Sequence, residues 1–187
     1  NITSIYKNKG EKTDIENERG IFNLVTIRTI LDKLLYQDNY KTIDSNMSDS
    51  NIGARKNRNI RDHIFVLNGI INNAINGQKE NIDIEIFDIS KCFDSMWYQK
   101  TMNDLFNANV QNDHFSLLCE LNKKSLISVK TPVGITNREQ FDEIIMQGGV
   151  WGPLKCSVQI DEIGKESLKT GKYLYKYKNS VDVPPLA

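Results

Sequence analysis

The sequence has few of the residues that define disulfide-rich, zinc-binding or membrane proteins. Its three cysteines, Cys92, Cys119 and Cys156, are odd in number, far apart and without CxxC spacing. This pattern predicts neither a disulfide framework nor a zinc site, and favours three buried thiols in a reducing compartment. No apolar run approaches the roughly 18 residues that span a bilayer. We therefore expect an intracellular protein, in the cytoplasm or the nucleus, without a membrane partner.

An excess of charge of one sign is also missing. Lys plus Arg and Asp plus Glu each number 24, so the formal net charge is +0 at pH 7. A nucleic-acid surface would have to be a local basic patch and not a field over the whole molecule. His63 and His114 stand alone, without neighbouring cysteines or clustered acids, which argues against a zinc site or a catalytic triad.

The two ends of the chain suggest a piece of a longer polypeptide. The sequence begins at Asn1 without a methionine or a charged-then-apolar leader, and it closes on Val183–Ala187 without a terminating helix. Its 187 residues suit one core, or a compact domain with a subdomain attached. We expect the parent polypeptide to carry additional domains.

Hydrophobic spacing predicts an irregular mixture of helices and strands. A hairpin is predicted from Ile2–Tyr6 and Ile21–Leu24, which flank turn-forming residues. The predicted helices cover 26–37, 60–75, 95–107, a segment capped by Asn112 or Asp113, and a segment with Pro153 in its first position. The predicted strands cover 82–86, 126–131, 144–146 and 172–178. This order fits an α+β fold better than a doubly wound sheet.

The same spacing predicts several local details. The first helix should bury one stripe, formed by Ile27, Ile30, Leu31, Leu34 and Leu35, and the polar run 38–50 should be a loop. The second helix should end at Gly77 in a left-handed cap. The helix over 95–107 should bury Met102, Leu105 and Phe106, with Asp94 as its cap.

Asp88 is the most informative residue, because it places a carboxylate at the end of the predicted strand 82–86. Carboxylates fixed at strand ends hold Mg²⁺ in two-metal phosphoryl-transfer enzymes. A solvated or hydrogen-bonded structural aspartate is the alternative. Strand alternation puts Asp88 on the isoleucine face, so either that face opens onto a cleft or the strand bulges before Asp88.

Two further segments have features of a nucleotide pocket. Phe93 follows Asp88 by five positions, and a bulky ring beside a sugar excludes a 2′-hydroxyl. Gln147 opens a loop with two glycines, which lets backbone approach a ligand and offers an amide. The alternatives are a core phenylalanine and a tight connection.

Basic residues cluster in two places. Lys7, Lys9, Lys12 and Arg19 surround the predicted hairpin and could clamp a triphosphate, although surface hairpins are usually charged. Arg55–Arg58 with Arg61 is the densest basic cluster and could follow a phosphate backbone. A solvated helix start is the equally simple explanation.

Taken in order, these segments resemble a reverse transcriptase of the non-LTR retrotransposon class. Four blocks carry the resemblance: Ile5–Lys7 with Asn17–Ile21 is similar to I-P-K and N-Y-R-G/P-I, Gly53–Arg58 with Asp62–Phe65 to G-F-R-x-G-R-S-x-x-D-x-I-F, Asp88–Asp94 to D-x-x-K-A-F-D, and Gln147–Leu154 to Q-G-x-x-x-S-P-L. The blocks occur in the order of the family and span nearly the whole chain, which makes the set more specific than any one block.

The resemblance implies a right-hand polymerase, an RNA-directed DNA polymerase acting as a nucleotidyltransferase. Residues 1–80 would form the fingers, and residues 81–187 the palm with part of the fingers/palm junction. The palm would be an antiparallel sheet packed on helices. The implied partners are an RNA template, a DNA primer and deoxynucleoside triphosphates, and the implied cofactor is Mg²⁺, two ions in the complete enzyme, with Mn²⁺ as a substitute.

The resemblance also assigns roles to single residues. Asp88 would ligate both metal ions and Phe93 would be the sugar gate. Gln147 would line the nucleotide and template pocket. The remaining implied contacts are Lys7 and Arg19 on the triphosphate and Arg55 and Arg58 along the template.

This sequence departs from the family pattern at several positions. Substituted positions in the blocks are Cys92 for alanine, Ala54 for an aromatic residue, Asn57 for glycine, Asn59 for serine and Gly152 for serine. The family's paired aspartates have no counterpart, which implies a fragment truncated before the catalytic Asp-Asp hairpin and inactive alone. The alternative is a degenerate, non-catalytic nucleic-acid-binding domain with a polymerase-like fold.

Overall fold

A computed structural model describes residues 1–78, 81–110, 112–131, 133–142, 145–170, 175–177 and 181–183. Within these residues the fold is α+β, as the sequence predicts. The helices are α1 (Thr26–Asn46), α2 (Ile60–Asn72), α3 (Cys92–Ser95), α4 (Tyr98–Asn107), α5 (Asn112–Asn122) and α6 (Gly152–Thr170). A short 3₁₀ helix, Ile15–Asn17, and a π-helix, Asn73–Gln78, complete the helical segments.

Short strands make up the β structure. They are β1 (Ile2–Tyr6), β2 (Glu18–Phe22), β3 (Ser125–Ile127), β4 (Val129–Thr131), β5 (Gly134–Ile135), β6 (Glu139–Phe141), β7 (Tyr175–Tyr177) and β8 (Val181–Val183). One sheet has the order β2-β1-β4-β5, and β3 with β6 and β7 with β8 form two-stranded pairs. Among the described residues, 81–187 therefore form no single antiparallel sheet of the kind that the resemblance implies for a palm.

The predicted hairpin is confirmed. Strands β1 and β2 pair antiparallel, with Ile5 opposite Arg19, although β2 begins at Glu18, earlier than predicted. Strand β1 also pairs in parallel with β4. The predicted strand 126–131 is broken at Ser128, because β3 and β4 join different sheets, and the Ser128 carbonyl accepts a hydrogen bond from the Ile2 N–H at 2.8 Å.

The hydrophobic core lies among α1, α4, α5 and the start of α6. Its buried side chains are Leu35, Tyr40, Ile43, Met47, Met102, Leu105, Ala108, Val110, Leu118, Trp151, Leu154 and Val158. Trp151 attaches the start of α6 to α1, since its indole N–H donates to the Asp32 carbonyl at 3.1 Å and its ring meets Tyr36 edge-on at 5.7 Å. Because Trp151 follows the Gln147 loop directly, its packing in the core holds that end of the loop against α1.

Helix α1 is longer than predicted, so the expected loop is wrong over residues 38–46. The buried stripe continues through Tyr40 and Ile43 at helical spacing, and the buried Asn39 amide donates to the Leu35 carbonyl at 2.7 Å. The expected burial of the first turns is also wrong in part. Ile27, Ile30 and Leu34 are 80%, 53% and 54% exposed, because the helix turns its Leu31 and Leu35 side to the core.

Helix α2 forms where predicted but buries no residue. Its start is fixed by a capping box in which Asn59 and Asp62 satisfy each other's backbone N–H groups. The expected left-handed cap at Gly77 is wrong, because the chain continues into the π-helix and Gly77 has no positive φ.

The predicted strand 82–86 is wrong: residues 81–89 have no regular secondary structure. Alternating side chains make a strand only beside a neighbour that accepts its backbone hydrogen bonds. None of the described strands pairs with this segment. Its apolar side chains are consequently in solvent, with Ile86 88% and Phe87 83% exposed.

The helix predicted over 95–107 begins later, as α4 at Tyr98, and a separate one-turn helix, α3, ends at Ser95. Asp94 lies inside α3, so its expected role as a cap is wrong, and the residue preceding α4 is Trp97. Met102 and Leu105 are buried as predicted, whereas Phe106 is half-exposed, with its ring edge-on to Phe115 at 5.2 Å.

The remaining predicted elements have mixed outcomes. Strand β7 falls within the predicted strand 172–178. Of the predicted strand 144–146, residue 144 lies outside the described residues and 145–146 are not in a strand. No helix in the described part of the chain combines the length and apolar character needed to cross a membrane.

Candidate functional site

Three of the four sequence blocks meet in space. The hairpin β1–β2 contacts the Asp88–Asp94 block through an ion pair between Lys91 and Glu16. It also contacts the Gln147 loop, because the Phe22 N–H donates to the Gln147 carbonyl at 2.9 Å. Residues far apart in the sequence thus form one region, which we call the hairpin cleft (residues 5–22, 88–93 and 146–152).

Lys7 and Arg19 lie on the same face of the hairpin. Arg19 is opposite Ile5, and the ladder continues as the Lys7 N–H donates to the Asn17 carbonyl at 2.8 Å. Alternate residues of a strand share a face, so Lys7 and Arg19 are diagonal neighbours, about 7–8 Å apart. The Lys7 ammonium donates to the Glu16 carbonyl at 2.7 Å, and Arg19 is exposed.

The Gln147 loop packs against the Ile21–Phe22 end of β2, and a glycine makes the approach close. Gly148 has a φ of +97°, and a Cβ there would lie 3.0 Å from Cγ2 of Ile21. Only glycine fits this contact without strain. Arg19 is two residues from Ile21 in the same strand and shares its face.

Phe93 is seated against the first residue of α6. A Cβ placed on Gly152 would lie 3.1 Å from Cε1 of the Phe93 ring and 3.1 Å from the Met146 carbonyl oxygen. The family pattern has serine at position 152, and glycine here gives the ring its space. Phe93 is therefore part-buried at the edge of the hairpin cleft and not a core residue.

Asp88 is exposed, in the irregular segment before Lys91. Its carboxylate is therefore open to an ion, but it is a single ligand. Among the described residues, no three His, Cys, Asp or Glu side chains are grouped to hold a metal. A Mg²⁺ site uses one or two carboxylates together with water and substrate phosphates, so Asp88 fits as one ligand of a shared site.

Arg55 does not fit the template contact that the resemblance implies. Its side chain is only 4% exposed, and its guanidinium donates to the Asp44 carboxylate at 2.7 Å and to the Ser48 and Asn51 carbonyls at 2.6 and 2.8 Å. The hydrogen bond from Arg55 holds the pKa of Asp44 below its usual value. Arg58 is at the surface, in an ion pair with Asp49 at 2.8 Å.

A polar network that the sequence did not predict attaches the arginine block to α6. Ser157 donates to the Gly53 carbonyl at 2.6 Å, and the Asn51 amide donates to the Ser157 carbonyl at 2.8 Å. One turn on, the Asp161 carboxylate accepts the Ser48 N–H at 2.9 Å. The i,i+4 spacing of Asp161 and Lys165 was the only sequence signal.

The three thiols are part-buried and not fully buried as expected. Burial raises the pKa of the Cys119 thiol. Cys92 of α3 and Cys156 of α6 are neighbours, with their Sγ atoms 2.7 Å apart. No pattern in the sequence predicts this contact, because the two residues are 64 positions apart.

Two grooves lie away from the hairpin cleft. One, of about 310 Å³, runs along α1 and is lined by Gln37, Tyr40, Lys41, Asp44, Lys56 and Asn57. The other, of about 200 Å³, lies between the end of α1, α4 and α6. Neither is lined by Asp88, Phe93 or Gln147.

The structure defines an α+β chain in which the hairpin contacts the Gln147 loop and the segment before Phe93, and the Phe93 ring contacts Gly152. No protein-family model matches this chain, and no curated protein matches it either.

Proposed function

We propose that this chain is the fingers and palm portion of an RNA-directed DNA polymerase of the kind found in non-LTR retrotransposons. Such an enzyme extends a DNA primer on an RNA template by two-metal nucleotidyl transfer. The observation that carries the proposal is the hairpin cleft. Three blocks that resemble the family in sequence, separated by up to about 130 residues, lie against one another.

The geometry of the cleft suits a nucleoside triphosphate. Phosphoryl transfer depends on positioning and on neutralising charge, and Lys7 and Arg19 put two cations on one face. The Gln147 loop is hydrogen-bonded to Phe22 of β2, the strand that carries Arg19, and its backbone and amide groups would contact a base or a sugar. Phe93 on Gly152 supplies a rigid ring to exclude a 2′-hydroxyl.

Asp88 would supply one ligand to Mg²⁺, and the ion when bound neutralises the phosphates of the reacting groups. The sequence has no Asp-Asp pair that could complete the site. We therefore propose that the chain is inactive alone. Residues 1–80 would be the fingers and 81–187 part of the palm, with Arg58 as the template contact and Arg55 as a structural residue.

Primer extension tests the proposal. The assay uses a DNA primer on an RNA template with Mg²⁺, for the 187-residue chain and for the full-length product of the gene that encodes it. We expect extension by the full-length product only. Asp88→Asn should reduce that extension by at least about 100-fold, because a metal ligand is worth several kcal/mol in the transition state. Affinity for the primed template should stay within about 2-fold of wild type.

Asp83→Asn is the matched control, because Asp83 is exposed in the same irregular segment. It should leave extension unchanged. Extension that survives Asp88→Asn, or falls equally in both variants, would remove Asp88 from the mechanism. Binding of primed template without extension by the full-length wild type would favour a degenerate nucleic-acid-binding domain.

A further inference from the structure

Cys92 and Cys156 are placed for chemistry with each other. Their Sγ atoms lie 2.7 Å apart, between the first residue of α3 and a residue in the second turn of α6. A disulfide bond measures about 2.05 Å, so less than about 1 Å of movement separates the thiols from a bond. Both side chains are part-buried, which leaves a path for a small thiol or disulfide reagent.

We propose that Cys92 and Cys156 form a reversible disulfide that ties α3, and the exposed segment 81–91 before it, to α6. This inference does not depend on the polymerase proposal. A shared metal ion is the competing use of two neighbouring thiols. A structural zinc site needs four ligands, however, and the described residues offer no third His, Cys, Asp or Glu beside this pair.

Oxidised glutathione supplies the oxidising equivalents. The Cys92 thiolate attacks one of its sulfurs, releases one glutathione thiolate and leaves a mixed disulfide on Cys92. The Cys156 thiolate then attacks the Cys92 sulfur, releases the second glutathione and closes the protein disulfide. The two cysteines lose two protons and two electrons, and one oxidised glutathione becomes two reduced ones.

The surroundings of Cys156 slow its reaction at neutral pH. Burial and the neighbouring Cys92 thiol raise the pKa of Cys156 to about 12. Cys156 therefore provides little thiolate at neutral pH. The second step is intramolecular between atoms already in contact, so it should outrun attack by a second glutathione.

The disulfide would also restrain the position of the Phe93 side chain. This ring follows Cys92 directly and rests on Gly152, four residues before Cys156. Oxidation would link α3 covalently to α6 on either side of this contact. In the reduced protein, the Phe93 side chain would be held by packing alone.

Tryptic mapping tests the inference on the full chain. The protein is equilibrated with defined ratios of oxidised to reduced glutathione, its remaining thiols are alkylated, and it is digested after denaturation. The three cysteines fall in different peptides, Cys92–Lys100, Thr101–Lys123 and Cys156–Lys165. Mass spectrometry can therefore assign any link without ambiguity.

We expect the first and third peptides to be linked as the main oxidised product, and the link to disappear on reduction with dithiothreitol. Cys119→Ser should keep the link, and Cys92→Ser and Cys156→Ser should each lose it. The inference is overturned if excess oxidised glutathione yields no such link in the wild type. It is equally overturned if Cys119 is linked to either partner as often as they are linked to each other.

Discussion

The position of the Phe93 ring depends on glycine at residue 152. The Phe93 ring fills the space over Gly152 that a Cβ would occupy, next to the Met146 carbonyl. A serine at 152, as in the family pattern, would force the ring or the loop to shift by a few tenths of an ångström. The gate proposed for sugar selection thus depends on one missing methylene.

Replacing this ring should change sugar selection. In the full-length gene product, we expect Phe93→Ala to raise incorporation of ribonucleotides relative to deoxyribonucleotides by at least about 10-fold, since it removes the steric barrier to a 2′-hydroxyl. The ratio of kcat/KM for the two nucleotide classes measures the effect. Phe87→Ala is the control, because Phe87 is 83% exposed in the irregular segment before α3. An unchanged ratio in Phe93→Ala would contradict the gate.

Lys155 is a cation held in an unfavourable place. It is buried at 4% exposure on α6, and burial lowers its pKa to about 8, although the nearby Asp32 carboxylate acts in the opposite direction. Asp32 is already in an ion pair with Arg28 at 2.9 Å. The folded state therefore releases the Lys155 proton more readily than the unfolded chain does.

This difference predicts a pH dependence of stability. Between pH of about 8 and 9 the unfolded chain keeps a Lys155 proton that the folded chain has lost, so the free energy of unfolding should rise with pH, by roughly 1 kcal/mol. Above about pH 9 the Cys156 thiol, whose pKa is raised in the folded state, acts in the opposite direction. Urea unfolding between pH of about 8 and 9 should show the rise in the wild type.

Lys155→Met should abolish the rise, whereas Lys169→Met should retain it, because Lys169 is on the same helix with 73% of its side chain exposed. A rise that persists in Lys155→Met would assign it to another group.

Helix α6 has two packing faces that serve different purposes. Trp151, Leu154 and Val158 lie in the hydrophobic core at its start, while Ser157 and Asp161 hold the loop 48–55 by hydrogen bonds. Burial would raise the pKa of Asp161, but hydrogen bonds from Lys165 and Ser48 outweigh it and hold the pKa below its usual value. The attachment of the loop is therefore sensitive to acid.

Asp161→Asn should reveal this sensitivity. Because the folded-state pKa of Asp161 is lowered, its contribution is complete above about pH 4 and is lost as pH falls through the folded-state value. We expect the variant to be less stable than wild type by about 1–3 kcal/mol at pH 7 and the difference to shrink near pH 3. Urea unfolding at both pH values measures it.

Glu166→Gln, an exposed change on the same helix, should have little effect at either pH. A stability difference for Asp161→Asn that stays constant with pH would show that lost packing, not charge, is responsible.

The secondary-structure elements that the sequence predicts correctly are those determined by residues close together in the chain. The hairpin β1–β2 and helix α2 follow from turn residues, capping and periodicity, which act within a few positions. Strand 82–86 was wrong because its alternation needs a partner strand from elsewhere, and no described strand supplies one. Helix α1 was cut short because polar residues around Tyr40 and Ile43 hid a continuing buried stripe.

In the candidate site too, single residues could be identified from the sequence, but contacts between distant residues could not. Lys7, Arg19 and Gln147 were identified from residue type. The structure puts Lys7 and Arg19 in the hairpin and the Gln147 carbonyl on the Phe22 N–H of β2, and their roles stay predictions. Arg55 was expected along the template because it belongs to the densest basic cluster and to a block that resembles the family, but Asp44, eleven positions earlier, makes an ion pair that leaves the Arg55 side chain only 4% exposed. The contact of Cys92 with Cys156 could not be predicted, since thiols distant in sequence leave no periodic signal.

For the molecule as a whole, apolar surface is unevenly distributed. The helical core is well filled, but α2 buries no residue, and Phe65 is 80% and Ile86 88% exposed. Among the described residues nothing covers these side chains. Exposed apolar area of this kind marks a surface of contact or a tendency to associate. The exposure of Ile86 follows from the missing strand, because no described strand pairs with residues 82–86.

The contact of strand β1 with Ser128 and β4 has a consequence for synthesis. Strand β1 lies in the middle of its sheet, bonded to β4, and Ser128 donates to the Asn1 side chain across 127 positions. On a ribosome, the hairpin can close as soon as residues 1–22 emerge. It must then wait, undocked, for β4 and the Gln147 loop, so the last event of folding should be the closure of a loop of more than 100 residues.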